Sequence, residues 1–150
     1  MTPRKPTAAE MDLLKELRWK MDDIEDDFER AVYYFICVGF QEYKYGRRKT
    51  KQVTKEQILE YLCRNGLASR RADGSLPDDR KVREAARELL KQGLPIMATA
   101  KSKGYFIAET LAEIDRPQRE NKARATAILA VDKGYEKVRA LLSGQGRIFG

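Results

Sequence analysis

Gly93–Thr110 reads GLPIMATAKSKGYFIAET, two apolar runs of about four residues, PIMA and YFIA, on either side of the polar TAKSKG. Runs this short, separated by a loop that ends in a glycine, read as the two strands of a β-hairpin. What comes before them narrows the fold further. In Asp78–Gly93, Val82, Ala85, Ala86 and Leu89 fall on one face of a helix. Arg80, Arg83, Arg87 and Lys91 fall on the opposite stripe, with Glu84 beside them, either a face for phosphates or an exposed helix balanced by Glu84 and Glu88 in local pairs. Gly93 suits the left-handed residue that closes such a helix. The helix should begin between Ser75 and Asp79, where Ser, Pro and Asp offer competing caps. A helix with one core face therefore runs straight into a small hairpin.

The rest of the chain reads as mainly α. Thr7, Thr54 and Thr110 each stand three residues before Glu or Gln, the reciprocal capping pattern of a helix start. From Leu14 to Val38, the residues Leu17, Met21, Ile24, Phe28, Ala31 and Phe35 recur three and four apart, a heptad seam that predicts one long helix. That seam needs cover, either from another helix of the same chain or from a second copy in a homodimeric coiled coil. The acidic DDIEDD within it is a solvated helix face or, less economically, a cation site. The basic GRRKTKQ, residues 46–52, ends this helix. A helix over about Lys55–Arg64 follows, with Ile58, Leu59 and Leu62 on one face, and Asn65-Gly66 stops it. The segment LASRRADGSLPDD is rich in turn residues, with room for one short helical turn near Ala68–Ala72. After Thr110, Pro117 is expected to restart a last helix, with Ala127, Val131, Tyr135, Val138 and Leu142 in a three-four rhythm. The expected organisation is an N-terminal helical arm over 1–45, a central unit over 46–109 and a C-terminal helix over 110–150 that packs on the arm or on a dimer partner.

Charge is unevenly spread. The formal net charge is +7, and residues 46–87 carry 12 Lys/Arg against 6 Asp/Glu, whereas residues 1–45 carry 7 against 10. A basic middle is the footprint of a surface that faces phosphates, or else a solvated basic face. Histidine is absent, which removes histidine acid–base chemistry, the usual nucleophile–base triads and most zinc sites. Neither a phosphate-binding glycine motif nor metal-ligand spacing is present, so neither enzyme nor cofactor nor metal is expected. Cys37 and Cys63 lie in apolar helical patterns and read as reduced core thiols. The longest apolar run, Ala31–Phe40, is far short of the roughly 20 residues of a membrane span. MTPRKPTAAEMD holds no apolar signal core, so a cytoplasmic location is expected.

The stretch DDRKVREAARELLKQGLPIMATAKSKGYFIAET resembles the recognition helix and wing of winged helix-turn-helix proteins. It is most similar to small phage and prophage DNA-binding proteins and to the N-terminal domain of the biotin operon repressor. The resemblance covers roughly Thr54–Glu109. It implies a winged helix with a two-stranded wing, which in this chain is expected to be flanked by the long N- and C-terminal helices. It also implies a non-enzymatic role in transcription control or replication, with double-stranded DNA as partner. By position, the DNA-facing residues are Arg80, Lys81, Arg83, Arg87 and Lys91 on the helix and Lys101, Ser102 and Lys103 at the wing tip. Tyr105 stands beside them, with strand core as the stronger reading of that side chain. The family normally places a clear helix before the recognition helix, where this chain has GLASRRADGSLPDD. The other reading is a protein–protein adaptor that uses the same face on a host or phage machine.

Overall fold

The computed structural model describes residues 4–99, 101 and 103–149, with side chains through 144. Among these, five helices and three strands follow in the order α1 (Ala8–Met21), α2 (Asp27–Lys44), β1 (Val53–Thr54), α3 (Lys55–Arg64), α4 (Arg80–Lys91), β2 (Ile96–Ala98), β3 (Gly104–Ile107) and α5 (Leu111–Phe149). The chain divides into two compact units, Met1–Glu109 and Thr110–Gly150.

The three threonine boxes form as the spacing predicts. Thr7 and Glu10 cap α1 reciprocally, and Thr54 and Gln57 cap α3 in the same way. At α5, the Thr110 N–H donates to Glu113 Oε1 at 3.2 Å, and the Glu113 N–H donates to Thr110 Oγ1 at 3.4 Å. Gly93 closes α4 with φ 85°, a left-handed value that costs a glycine little.

The long N-terminal helix is in fact two helices. DDIEDD is the turn between them: Asp22 is the C-cap of α1, and the Asp26 carboxylate accepts from the Glu29 N–H at 2.8 Å as the N-cap of α2. The heptad count runs through this break unchanged, but the helix does not. The buried face of α2 is accordingly Val32, Tyr33, Ile36 and Phe40, rotated from the expected seam. Leu17 and Ile24, at the centre of that seam, are buried in the core of the same chain. The Tyr33 hydroxyl donates to the Leu17 carbonyl at 2.8 Å and ties the two helices together.

The expected two-stranded hairpin belongs to a three-stranded antiparallel sheet of order β1-β3-β2. Val53 pairs with Tyr105 and Thr54 with Gly104, while Ile96, Met97 and Ala98 pair with Ile107, Phe106 and Tyr105. A two-residue strand shows no alternation, and Thr54 already reads as a helix cap, so β1 carries no signal of its own. Gly104 admits it: a Cβ there would stand 2.1 Å from the Val53 carbonyl oxygen.

α2 is the middle of the first unit and packs against α1, α3, α4 and β3. Ile58 and Leu62 of α3, Val82 and Leu89 of α4 and Ile107 of β3 close the core around Ile36 and Phe40. At the edge of this core the Lys44 side chain is buried, at 7 % exposure, between two carboxylates. Its Nζ lies 2.7 Å from Glu10 Oε2 and 2.5 Å from Glu109 Oε2, clasping the start of α1 and the end of the sheet to α2. Burial opposes the charge on Lys44, but the bonds to Glu10 and Glu109 outweigh it and raise its pKa. The Lys44 bond, with help from the Thr7 backbone, holds the Glu10 carboxyl down at about 2.

Residues 65–79 form turns without a helix, so the short helical turn near Ala68–Ala72 is not formed. In the second unit, α5 is continuous, and Pro117 lies inside it rather than restarting it. As the seventh residue of α5 it lies past the first turn, where it lacks the N–H that would bond the Glu113 carbonyl and its ring crowds that carbonyl. No helix among the described residues is long and apolar enough to cross a membrane.

Candidate nucleic-acid interface

The orientation of α4 follows from its small apolar set. Val82, Ala85, Ala86 and Leu89 are all buried, as their spacing predicts. Alanines at two of these positions let the helix lie close on α2. With that face spent, Arg80, Lys81, Arg83, Arg87 and Lys91 are all exposed.

Their charges are not all free. Arg80 Nε lies 3.3 Å from Glu84 Oε1, Arg83 Nε 3.2 Å from Asp79 Oδ1 and Lys91 Nζ 2.9 Å from Glu88 Oε1. Among the described residues, Lys81 and Arg87 make no ion pair. Exposed pairs of this kind are worth only about 0–1 kcal/mol each, so a phosphate can displace the carboxylate at small cost. The stripe is therefore partly self-neutralised at rest, with Arg87 and Lys81 carrying its unbalanced charge.

Asp79 sits at the entry to α4 without capping it, and the Arg80 N–H is taken instead by Asp78 Oδ1 at 3.0 Å. Asp79 also meets Lys55 Nζ at 3.9 Å. Lys55 opens α3, and its backbone N–H donates to the Lys103 carbonyl at 3.1 Å. So Lys55, Arg83 and Lys103, far apart in sequence, gather at the junction of α3, α4 and the hairpin. Lys55 is the member of this group that no sequence pattern marks. Its place beside the hairpin depends on β1 pairing with β3, which the sequence does not signal.

The hairpin closes through Thr99, whose N–H donates to the Gly104 carbonyl at 2.9 Å and whose Oγ1 accepts from the Gly104 N–H at 3.0 Å. Lys101 and Lys103 are exposed, and Lys101 holds a left-handed backbone at φ 63°. Ser102 lies outside the described residues. Tyr105 is strand core at 4 % exposure, and burial raises its pKa.

The basic linker is partly structural. Arg48 donates from NH2 to the Gln52 carbonyl at 3.0 Å, and the Arg47 guanidinium lies over the Tyr45 ring, 5.6 Å from its centroid. Cys37 and Cys63 are free thiols, and burial pushes Cys37 up to about 12, far from a reactive thiolate. Among the described residues no group of three or more His, Cys, Asp or Glu is placed to hold a metal ion. No protein-family model matches the chain, and no curated protein or solved structure matches it either.

Proposed function

We propose that the chain is a non-enzymatic DNA-binding protein of winged-helix type, similar to phage and prophage regulators, with α4 as recognition helix and β2–β3 as wing. The observation that carries this reading is the junction of α3, α4 and the hairpin. Arg83 of α4 and Lys103 of the hairpin both adjoin Lys55, Arg83 through their shared partner Asp79 and Lys103 through the backbone bond. The order of elements supports it: a helix, α3, precedes α4, and α4 runs into the antiparallel pair β2 and β3, as the resemblance implies. In this assignment α3 is the helix that precedes the recognition helix, and residues 65–79 are a long turn rather than a lost helix. A role in transcription control or replication, and a cytoplasmic location, accompany the proposal.

One observation favours the adaptor reading. Three cations of α4 already hold carboxylates, which lowers the net charge this helix offers to phosphates. Titration against random duplex at two salt concentrations separates the two. A DNA binder that neutralises several phosphates loses on the order of 10³-fold in affinity between about 50 and 200 mM salt. Replacing Lys101 and Lys103 together by Ala should weaken duplex binding while leaving the fold within about 0.5 kcal/mol per site. Absence of binding at the lower salt overturns the DNA reading in favour of the adaptor.

A further inference from the structure

The last helix carries an apolar stripe that is open along its length. Ile128, Val131, Tyr135, Val138 and Leu142 recur three and four apart on α5, the spacing of a coiled-coil seam. They are exposed, Ile128 at 69 % and Tyr135 at 70 %. Exposed apolar stripes of this length mark an interaction surface. Tyr135, Val138 and Leu142 line a shallow depression with Asp132 and Arg139 on its edge.

We propose that this stripe is a self-association surface whose occupant is α5 of a second copy, running antiparallel. The argument is charge self-complementarity. Asp132 and Arg139 occupy the same flank of the seam, one heptad apart. In an antiparallel pair centred between Tyr135 and Val138, Asp132 of each copy meets Arg139 of the other, twice by the two-fold symmetry. A parallel pair instead sets Asp132 against Ala127 and Arg139 against Gly134, and wins no charge contact. The apolar layers agree with the antiparallel order, Tyr135 facing Val138 and Val131 facing Leu142. On the other flank the same register sets Leu141 over Gly134, where no side chain and no neighbouring atom within 4 Å occupies the space. A glycine in a helix interior weakens the helix, and here it makes room for a leucine. Within its own helix Arg139 has only a distant carboxylate, Glu136 at 4.0 Å, and Asp132 makes no ion pair among the described residues. The inference rests on α5 alone and is independent of the DNA reading.

Sedimentation equilibrium of the full chain at tens of micromolar tests it. The wild type should sediment at twice the 17.3 kDa chain mass. Asp132→Arg and Arg139→Asp should each weaken the dimer by about tenfold, because each sets like charges together twice. An equimolar mixture of the two variants should restore the dimer, since every Arg then meets an Asp. Val138→Asp should give a monomer with unchanged helical circular dichroism, and if that variant does not fold the charge-swap pair still decides. A wild type that stays monomeric overturns the proposal, its stripe then being covered by another partner or by its own chain. Variants that dimerise as tightly as wild type, or a mixture no tighter than either alone, overturn it as well.

Discussion

Arg83 and Arg87 stand one turn apart on α4 and differ in one respect, that Arg83 holds Asp79 and Arg87 holds no carboxylate among the described residues. On the proposed DNA reading they also differ in task. Arg83, near the start of the helix, is placed for a base edge, and Arg87, further along, for a phosphate. Arg87→Ala should lower affinity equally on a selected site and on random duplex, and reduce the salt slope by about one. Arg83→Ala should cost about 1–3 kcal/mol on the selected site and little on random duplex. Equal losses for both variants on both duplexes reduce α4 to an electrostatic surface. A second single-atom effect lies in the sheet. A methyl group at Gly104 would press on the Val53 carbonyl from 2.1 Å, so β1 must part from β3 or the backbone must shift. Gly104→Ala should therefore destabilise by at least about 2 kcal/mol in urea unfolding, and an unchanged midpoint would show that the strands do not pair this closely.

At the scale of elements, the Lys44 clasp joins α1, α2 and the end of β3 through one ammonium and two carboxylates. Glu10 is depressed from 4.5 to about 2 in the folded chain, by its bond to Lys44 first and by the Thr7 backbone next. A carboxyl depressed on folding contributes stability that is fully present above its unfolded pKa and lost as pH falls through the folded one. Stability should thus decline across the interval from about 4.5 to about 2. Glu10→Gln should lower stability at neutral pH and flatten this acid limb. Urea midpoints of both proteins at intervals between pH 6 and about pH 2 provide the measurement, and parallel curves would remove Glu10 from the acid response. Element starts were legible beforehand, because a capping box is local: the donor, the acceptor and the helix start lie within four residues. A break inside a helix was less so. The heptad rhythm of Leu14–Val38 is satisfied equally by one helix and by two with a turn, and the choice fell to Asp26, whose side chain caps a second start.

For the first unit as a whole, the N-terminal helices are part of the core rather than an arm beside it. Ile24 is fully buried in the turn between α1 and α2, within the same cluster as Ile36, Leu62, Leu89 and Ile107. Ile24→Asp places an unpaired charge in that cluster and should cost several kcal/mol, unfolding Met1–Glu109 cooperatively. A variant that keeps its urea midpoint, or that loses only α1, would show that the N-terminal helices are dispensable to the rest. The buried clasp at Lys44 argues the same way, since it joins residues 65 apart in sequence.

The sequence by itself determined the features whose causes are local. The three capping boxes, the buried set of α4, the left-handed Gly93 and the two strands of the hairpin each depend on residues within a few positions of one another. Tertiary structure decided what depends on pairing at a distance. The strand at Val53 exists only because Gly104 lets β3 approach it, and a two-residue strand has no pattern to betray it. The carboxylate partners on α4 are local as well: Arg80 and Glu84, and Arg83 and Asp79, stand four residues apart, and Lys91 and Glu88 three. What the fold adds is Lys55, which meets Asp79 through its ammonium and Lys103 through its backbone N–H. Spacing along a helix sets which side chains share a face. Which charges of other elements stand beside that face is set by contacts that only the folded chain brings about.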